Sequence, residues 1–430
     1  MKRIILTLTA LVITAQADWK QWRGPTGQGH ANANLPIEWN EKKNIKWRTT
    51  IPGKGWSSPV IEGNQVWMTT AFETVASEEE RRERLKKNTG GVPVHVLSSV
   101  RLNAVCVDKQ NGKLLHNIEV IAKKQPQWVH KLNSYASPSP IIESGRVYCH
   151  FGAYGTVCVD AKTGKVAWRN DKVWVMHENG PGSTPVLWKD LLIFHMDGSD
   201  QQFVVALDKA TGKERWRTKR SGKMHDNHQL KKSYGTPVLR EVDGQPVLLS
   251  PGSNWLYAYS PATGKELWKV EYGGLGFSLV PRPVTGHGMI FMSTGYMRPK
   301  LLAVRYEKTA KPDIAWSYSR SVSTQPSPLL VGDELYFITE SGGLVTCLNA
   351  HTGEKHWVER IGGNYSSSPT YASGKIYFHS REGETTVLQA GKTFKVLNKN
   401  KLDGQHMASA AVDGDALILR TDKALYRIEK

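Results

Sequence analysis

Apolar and polar positions alternate along this chain in short runs, and turn residues interrupt the runs at regular steps. The clearest stretch covers residues 137–169, SPSPIIESGRVYCHFGAYGTVCVDAKTGKVAWR. Its strand-like runs at 140–143, 147–151, 156–160 and 165–168 are broken by Ser-Gly, Gly-Ala-Tyr-Gly and Lys-Thr-Gly, which predicts a four-stranded antiparallel meander. The same phrase returns as Ser183-Thr-Pro-Val with Asp208-Lys-Ala-Thr-Gly-Lys and Trp216, as Gly235-Thr-Pro-Val with Ser260-Pro-Ala-Thr-Gly-Lys and Trp268, and as Ser327-Pro-Leu-Leu with Asn349-Ala-His-Thr-Gly-Glu and Trp357. Weaker copies begin at Ser58, Val280, Ser368 and Ser409, giving eight in all, and the tryptophan steps from 168 to 357 are 48, 52, 48 and 41 residues. A four-stranded unit at that period predicts an all-β chain folded as an eight-bladed β-propeller.

The two ends are incomplete in complementary ways. Residues 44–49 around Trp47 read as a fourth strand without its first three, while the last copy offers strands at 407–412, 415–420 and 424–428 and stops one short. The Trp47 strand is therefore expected to complete the last blade and remove its open edge. Trp47, Trp168, Trp216, Trp268, Trp316 and Trp357, with His116 and Leu397 in the remaining copies, are expected to form a packing belt, each costing about 3–5 kcal/mol if truncated to Ala. In the recurring turns Gly supplies a positive φ, and Asp108, Asp160 and Asp208 can accept turn amides. Residues 71–100 interrupt blade one; within them Ser77-Glu-Glu-Glu80, followed by a basic run, predicts a short capped helix.

Before these repeats come Lys2 and Arg3, an apolar run at 4–13 and Ala15-Gln16-Ala17, the pattern of a secretory signal peptide over 1–17. Asp18 rather than Cys follows it, so no lipid anchor and no transmembrane segment is expected, and 18–430 reads as one periplasmic or secreted propeller. The net charge of +18 falls to +16 without Lys2 and Arg3. Such a surplus favours anionic partners, but no dense basic cluster interleaved with aromatics accompanies it, and export argues against nucleic acid. Cys106, Cys158 and Cys347 occupy one repeat slot that elsewhere holds Ala206 and Ala258, a small buried position. A turn at 152–155 would set Cys149 opposite Cys158, where a bridge and a packed thiol pair are both open.

Second-to-third turns and blade-to-blade connections share one face of such a meander, and the non-repeating polar residues fall there. The candidate ligand-binding residues, expected to line a central funnel, are Asn133, Tyr135, His150, His177, Glu178, Asn179, His195, Asp197, Arg282, Arg298 and Arg381. His, Glu, Asn and Asp suit a metal and Arg an anion. No catalytic residue and no dedicated metal site is assigned: His225 and His228 lack the spacing of a closed zinc site, and no Ser/His/Asp arrangement or phosphate-cradling Gly loop can be assigned. Glu178 with Asp197 or Asp200 leaves a glycosidase-style carboxylate pair open.

Ala161-Lys-Thr-Gly-Lys-Val-Ala-Trp168, Ala210-Thr-Gly-Lys-Glu-Arg-Trp216 and Ala262-Thr-Gly-Lys-Glu-Leu-Trp268 resemble the tryptophan-docking repeats of the pyrroloquinoline quinone (PQQ)-like propellers, over essentially all of 18–430. The resemblance implies that fold and two kinds of relative. One is the quinoprotein dehydrogenases, with an adjacent cysteine pair against the quinone, Glu and Asn for calcium, and a catalytic Asp. The other is the non-enzymatic BamB-like scaffold of outer-membrane protein assembly. No two cysteines are adjacent here, and the surroundings of Glu178-Asn179, Asp197 and Asp200 do not match the dehydrogenase pattern. Trp22-Arg-Gly-Pro and Trp56-Ser-Ser-Pro-Val resemble PQQ-like repeat proteins exported by envelope-rich bacteria. The expected function is a non-catalytic, monomeric binding or scaffold module of the cell envelope, with no cofactor, whose partner is an envelope protein or an anionic glycan or polymer. A quinone- or metal-dependent oxidoreductase and a polysaccharide-binding or -cleaving protein are the alternatives.

Overall fold

Short alternating runs that cannot bury both faces alone are stacked here against copies of themselves. The computed structural model describes residues 18–430 apart from 89, 92, 275, 308 and 310; the leader expected at 1–17 lies outside them. Eight four-stranded antiparallel sheets follow one another along the chain. Blades one to seven occupy 60–124, 141–170, 186–219, 238–271, 284–318, 329–360 and 370–401, and blade eight combines 411–428 with the strand Ile45–Thr50. Second and third strands are apolar on both faces because a neighbouring blade covers each side, as in Leu191–Asp197, which is buried throughout. Fourth strands, such as Glu214–Lys219, keep a wet edge.

The front strand pairs antiparallel with the last, Thr49 opposite Leu425 and Arg48 opposite Tyr426, so the two half-blades read from the sequence form one sheet. Trp47 then reaches onward to blade one, where its Nε1 donates to the Lys109 carbonyl at 3.0 Å. Trp168, Trp216, Trp316 and Trp357 make the equivalent bond into the next blade at 3.0–3.1 Å. Each repeated turn glycine lies under the preceding blade's ring. A Cβ on Gly212 would come within 2.4 Å of Trp168, and one on Gly264 within 2.5 Å of Trp216. The turn glycine thus meets two demands, a positive φ and room for an indole. The turn aspartates do what their position predicts: Asp160 Oδ1 accepts from the amide and hydroxyl of Thr163, both at 2.9 Å.

Three details differ from the sequence reading. Tyr148 stands opposite Cys158 and Cys149 opposite Val157, so the two thiols point to opposite faces of the hairpin and all four cysteines are free and buried. The slip arises because the Gly152–Tyr154 turn fits the chain one residue away from the symmetric register. The insertion is narrower than 71–100, since its flanking strands run on to Val75 and resume at Leu97. Strand ends in the second blade also move, to Arg146–His150 and Val166–Asn170.

The insertion holds the helix Glu78–Leu85, capped by Ser77, which accepts from the Glu80 amide. Arg84 pins it to the Leu97 carbonyl at 2.7 Å. Val94–His95 pairs with Val129–His130 as a small ribbon over blades one and two; a second ribbon, Gly276–Phe277 with Tyr296–Met297, stands over blade five. Among the described residues no helix is long and apolar enough to cross a membrane.

Residues 18–31 cross the narrow end of the ring. The Trp19 and Lys20 carbonyls accept from Ile61 and Ile142 in blades one and two. Arg23 Nη2 reaches the Pro328 carbonyl at 2.8 Å, Gln28 brackets Thr285, and His30–Ala31 adds a parallel strand to blade seven.

Candidate functional site

The Ser/Thr that precedes Pro in most repeats turns out to be the innermost element of the molecule. Backbone amides and these hydroxyls form a chain around the axis: Ser58 donates to Ser139 Oγ at 2.9 Å, Ser139 to Thr184 Oγ1 at 3.1 Å, and Thr184 to Thr236 Oγ1 at 3.0 Å. After a gap at blade five, where Arg282 stands instead of a hydroxyl, Arg282 donates to Ser327 Oγ at 2.9 Å, Ser327 to Ser368 Oγ at 3.0 Å, Ser368 to Ser409 Oγ at 2.9 Å and Ser409 to Ser58 Oγ at 3.0 Å. Small polar side chains are needed there because eight strands converge and each first amide would otherwise be buried without an acceptor.

Above this ring opens a funnel of about 560 Å³. Its floor is Trp22, whose Nε1 donates to Ser409 Oγ at 3.2 Å. Its mouth is flanked by the two ribbons: Pro93, His130, Leu132 and Asn133 on one side, Phe277 and Tyr296 on the other, with Trp56 between blades. Leu132, Tyr296 and the adjacent Met297 are 46%, 59% and 67% exposed. Among the described lining residues no Asp, Glu, Lys or Arg occurs. The lining imidazole, His130, has its pKa lowered by burial.

Of the residues singled out in the sequence, Asn133 and Asn179 line the funnel. Asn133 Nδ2 donates to the Asn179 and Pro181 carbonyls at 2.8 and 3.1 Å, and its Oδ1 accepts from the Ser134 amide and the Ser137 hydroxyl, so it braces the loop before blade three. The others sit behind the wall or outside it. Tyr135 donates to the Gln127 carbonyl at 2.9 Å. His150 is bonded to Thr156 and His195 to Ser250, and burial pushes His150 and His177 down to about 3. Asp197 is clasped by Arg220 through bonds of 3.1 and 2.8 Å, both side chains buried. Glu178 takes a left-handed backbone, φ 62°, and accepts from Ser199 and Gln229 at 3.1 Å each. Close by, burial lowers Lys232 to about 8 against the pull of Glu178. Arg282 is buried under the floor, donating to the Trp22 carbonyl at 3.2 Å. Arg298 is exposed beside Met297, and half-buried Arg381 donates to the Glu340 carbonyl at 2.9 Å.

The expected constellation of His, Glu and Asp is therefore not gathered at the funnel surface. The aromatic rim, Trp22 and the hydroxyl ring escaped the sequence reading; the recurrent Ser/Thr before Pro was the available signal. A tricarboxylate quinone with calcium calls for cationic side chains and free carboxylates around it. The funnel lining does not fit that group, because Asp197 and Glu178 are engaged in the wall and the surface offers hydroxyls, amides and rings.

Comparison with known proteins agrees with this architecture. The family described as outer membrane protein assembly factor BamB matches residues 33–218 and 200–430. No curated protein matches the chain. Among solved structures, BamB from Moraxella catarrhalis is 12% identical with a TM-score of 0.53, covering 78% of this chain and 95% of its own. The quinohemoprotein alcohol dehydrogenase from Comamonas testosteroni is 10% identical with a TM-score of 0.60, covering 95% and 80%. A europium-containing methanol dehydrogenase is 11% identical with a TM-score of 0.55, covering 94% and 89%. At such identities the likeness concerns the fold.

Proposed function

Since the chain belongs to the family described as outer membrane protein assembly factor BamB, we propose that it is a non-catalytic binding propeller of the cell envelope whose axial funnel receives an apolar segment of a partner protein. The observation that carries this reading is the funnel's make-up. Trp56, Phe277, Tyr296 and Leu132 ring the mouth, hydroxyls and Trp22 form the floor, and no charged side chain is among the described lining residues. Exposed aromatic and aliphatic groups around a concavity are the usual anchors of protein recognition. An anionic polymer would find no cation among the described lining residues, so its attraction rests on the outer surface, where the positive charge is distributed.

Photo-crosslinking residues placed at Leu132 and Tyr296 test the proposal in the native compartment. The expected result is one recurring protein adduct that is lost when Trp56 and Phe277 are replaced by Ser. Purified protein is then titrated with PQQ plus calcium while its intrinsic tryptophan fluorescence is followed. Saturable quenching accompanied by dye-linked alcohol oxidation would overturn the non-catalytic reading.

A further inference from the structure

On the face opposite the funnel, His287, Asp333 and His351 meet at the border of blades five and six. Each comes from a tight turn whose chemistry fixes it. His287 lies in the first-to-second turn of blade five with φ 55°, Asp333 follows Gly332 in the equivalent turn of blade six, and the His351 amide donates to Asn349 Oδ1 at 2.9 Å. His351 Nε2 is 3.0 Å and His287 Nε2 3.5 Å from Asp333 Oδ1, and the two imidazole centroids are 4.2 Å apart. The three donor atoms all lie within 4.8 Å of one another, and all three residues are exposed; no other group of three or more His, Cys, Asp or Glu among the described residues is so arranged.

Two imidazoles, tilted 46° to each other and both directed at one carboxylate oxygen, are a pre-assembled set of metal donors. In a tetrahedral site with bonds of about 2.0–2.2 Å, neighbouring ligand atoms stand roughly 3.3 Å apart, and the observed 3.0 and 3.5 Å straddle that separation. Two nitrogens with one oxygen suit zinc, copper or nickel, whereas calcium and magnesium call for all-oxygen sets. His287 Nε2 now bonds the Gly332 carbonyl at 2.9 Å and would exchange that bond for the metal.

We propose that His287, Asp333 and His351 form a surface site for a divalent transition metal, of the zinc class, that clips blade five to blade six and keeps its remaining positions open to water or to a ligand atom of a partner. Because the ligands come from two blades, occupancy stabilises their interface and raises the unfolding temperature. The site lies on the far side from the funnel and stands or falls independently of the binding reading above.

The test uses tag-free, chelator-treated protein titrated with zinc by calorimetry, with thermal unfolding followed in parallel. One zinc per chain and a raised unfolding temperature are expected. His287→Ala, His351→Ala and Asp333→Asn should each weaken binding by about tenfold or more, while circular dichroism shows that these exposed variants remain folded. His225→Ala/His228→Ala should bind as the unaltered protein does. Absence of saturable zinc, copper or nickel binding in the micromolar range, unchanged affinity in His351→Ala, or loss of binding in the His225/His228 variant would each overturn the assignment.

Discussion

The amide of Ser409, in the last blade, donates to the hydroxyl of Ser58, in the first, at 3.0 Å, and the Ser58 amide passes the same bond on to Ser139 at 2.9 Å. Ser58 is 3% exposed, and the funnel above it is the route by which a water could take its place. Ser58→Ala leaves the Ser409 amide buried without its acceptor and should cost about 1–3 kcal/mol. Ser58→Thr should retain most of that stability, because Thr184 and Thr236 occupy the equivalent places. Urea denaturation midpoints of the two variants check the claim; equal stability of the Ala variant and the unaltered protein would show that the hydroxyl ring contributes nothing.

The docking of Trp47 on Gly112 joins blade eight to blade one. Gly112 has φ 76° and its Cβ would fall 2.8 Å from the indole, whereas Gly63, φ 57°, faces open space. Both Ala substitutions carry the left-handed backbone cost of about 1–2 kcal/mol. Gly112→Ala should exceed Gly63→Ala by a further 1–3 kcal/mol or so, from displacement of the ring and of Thr49 Oγ1, which would lie 2.7 Å from the new Cβ. Equal melting temperatures for the two variants would contradict a packing role for Trp47.

At the same seam Asp413 is bonded to Lys109 at 2.8 Å and to Arg427 at 2.7 Å. Burial raises its pKa, but Lys109 and Arg427 outweigh that and hold the carboxyl below the usual range. A depressed folded pKa contributes stability above the unfolded value near 3.9, and that contribution is lost as pH falls through the folded value. Asp413→Asn should therefore lose about 1.5–3 kcal/mol at pH 7 and show a shallower acid limb below about pH 4. Chemical denaturation at a series of pH values measures both effects.

Five buried histidines give a different acid response in a higher window. Burial pushes His150 and His177 to about 3 and His406 to about 4, and holds His195 and His379 well below their ordinary value. The unfolded chain takes up protons near pH 6.5, whereas in the folded chain His150, His177 and His406 do so only at about pH 3–4 and His195 and His379 only well below 6.5. Stability should thus fall steadily from about pH 6.5 downward, by up to about 1.4 kcal/mol per pH unit for each histidine. Calorimetry in buffers of different ionisation enthalpy should register proton uptake on unfolding at pH 5; its absence would mean that these imidazoles are not kept neutral by burial.

Period made the fold legible. Tryptophan steps, Thr-Gly-Lys turns and the half-strand at Trp47 led to the sheets and to the pairing of Arg48 with Tyr426. The site was less legible because side-chain direction depends on register. In blade three His195 and Asp197 share one face of a strand whose two faces are both covered, so their polarity marks a bonded wall, with Ser250 and Arg220 as partners. Phe277 and Tyr296, by contrast, lie in connections with no repeat to place them, and only their pairing as a ribbon brings them to the mouth. His287, Asp333 and His351 sat in turns that explained themselves as turns; their meeting depends on how two neighbouring blades are rotated against each other.

The thread laid across the narrow end has a consequence for biogenesis. Trp22 bonds to a residue 387 positions away, and Arg23 to one 305 positions away, so the first part of this region to leave the ribosome must wait for nearly the last before it can settle. Non-local closure of this kind is slow, and a nascent or truncated polypeptide would present a frayed ribbon at one end and an uncapped throat in the middle.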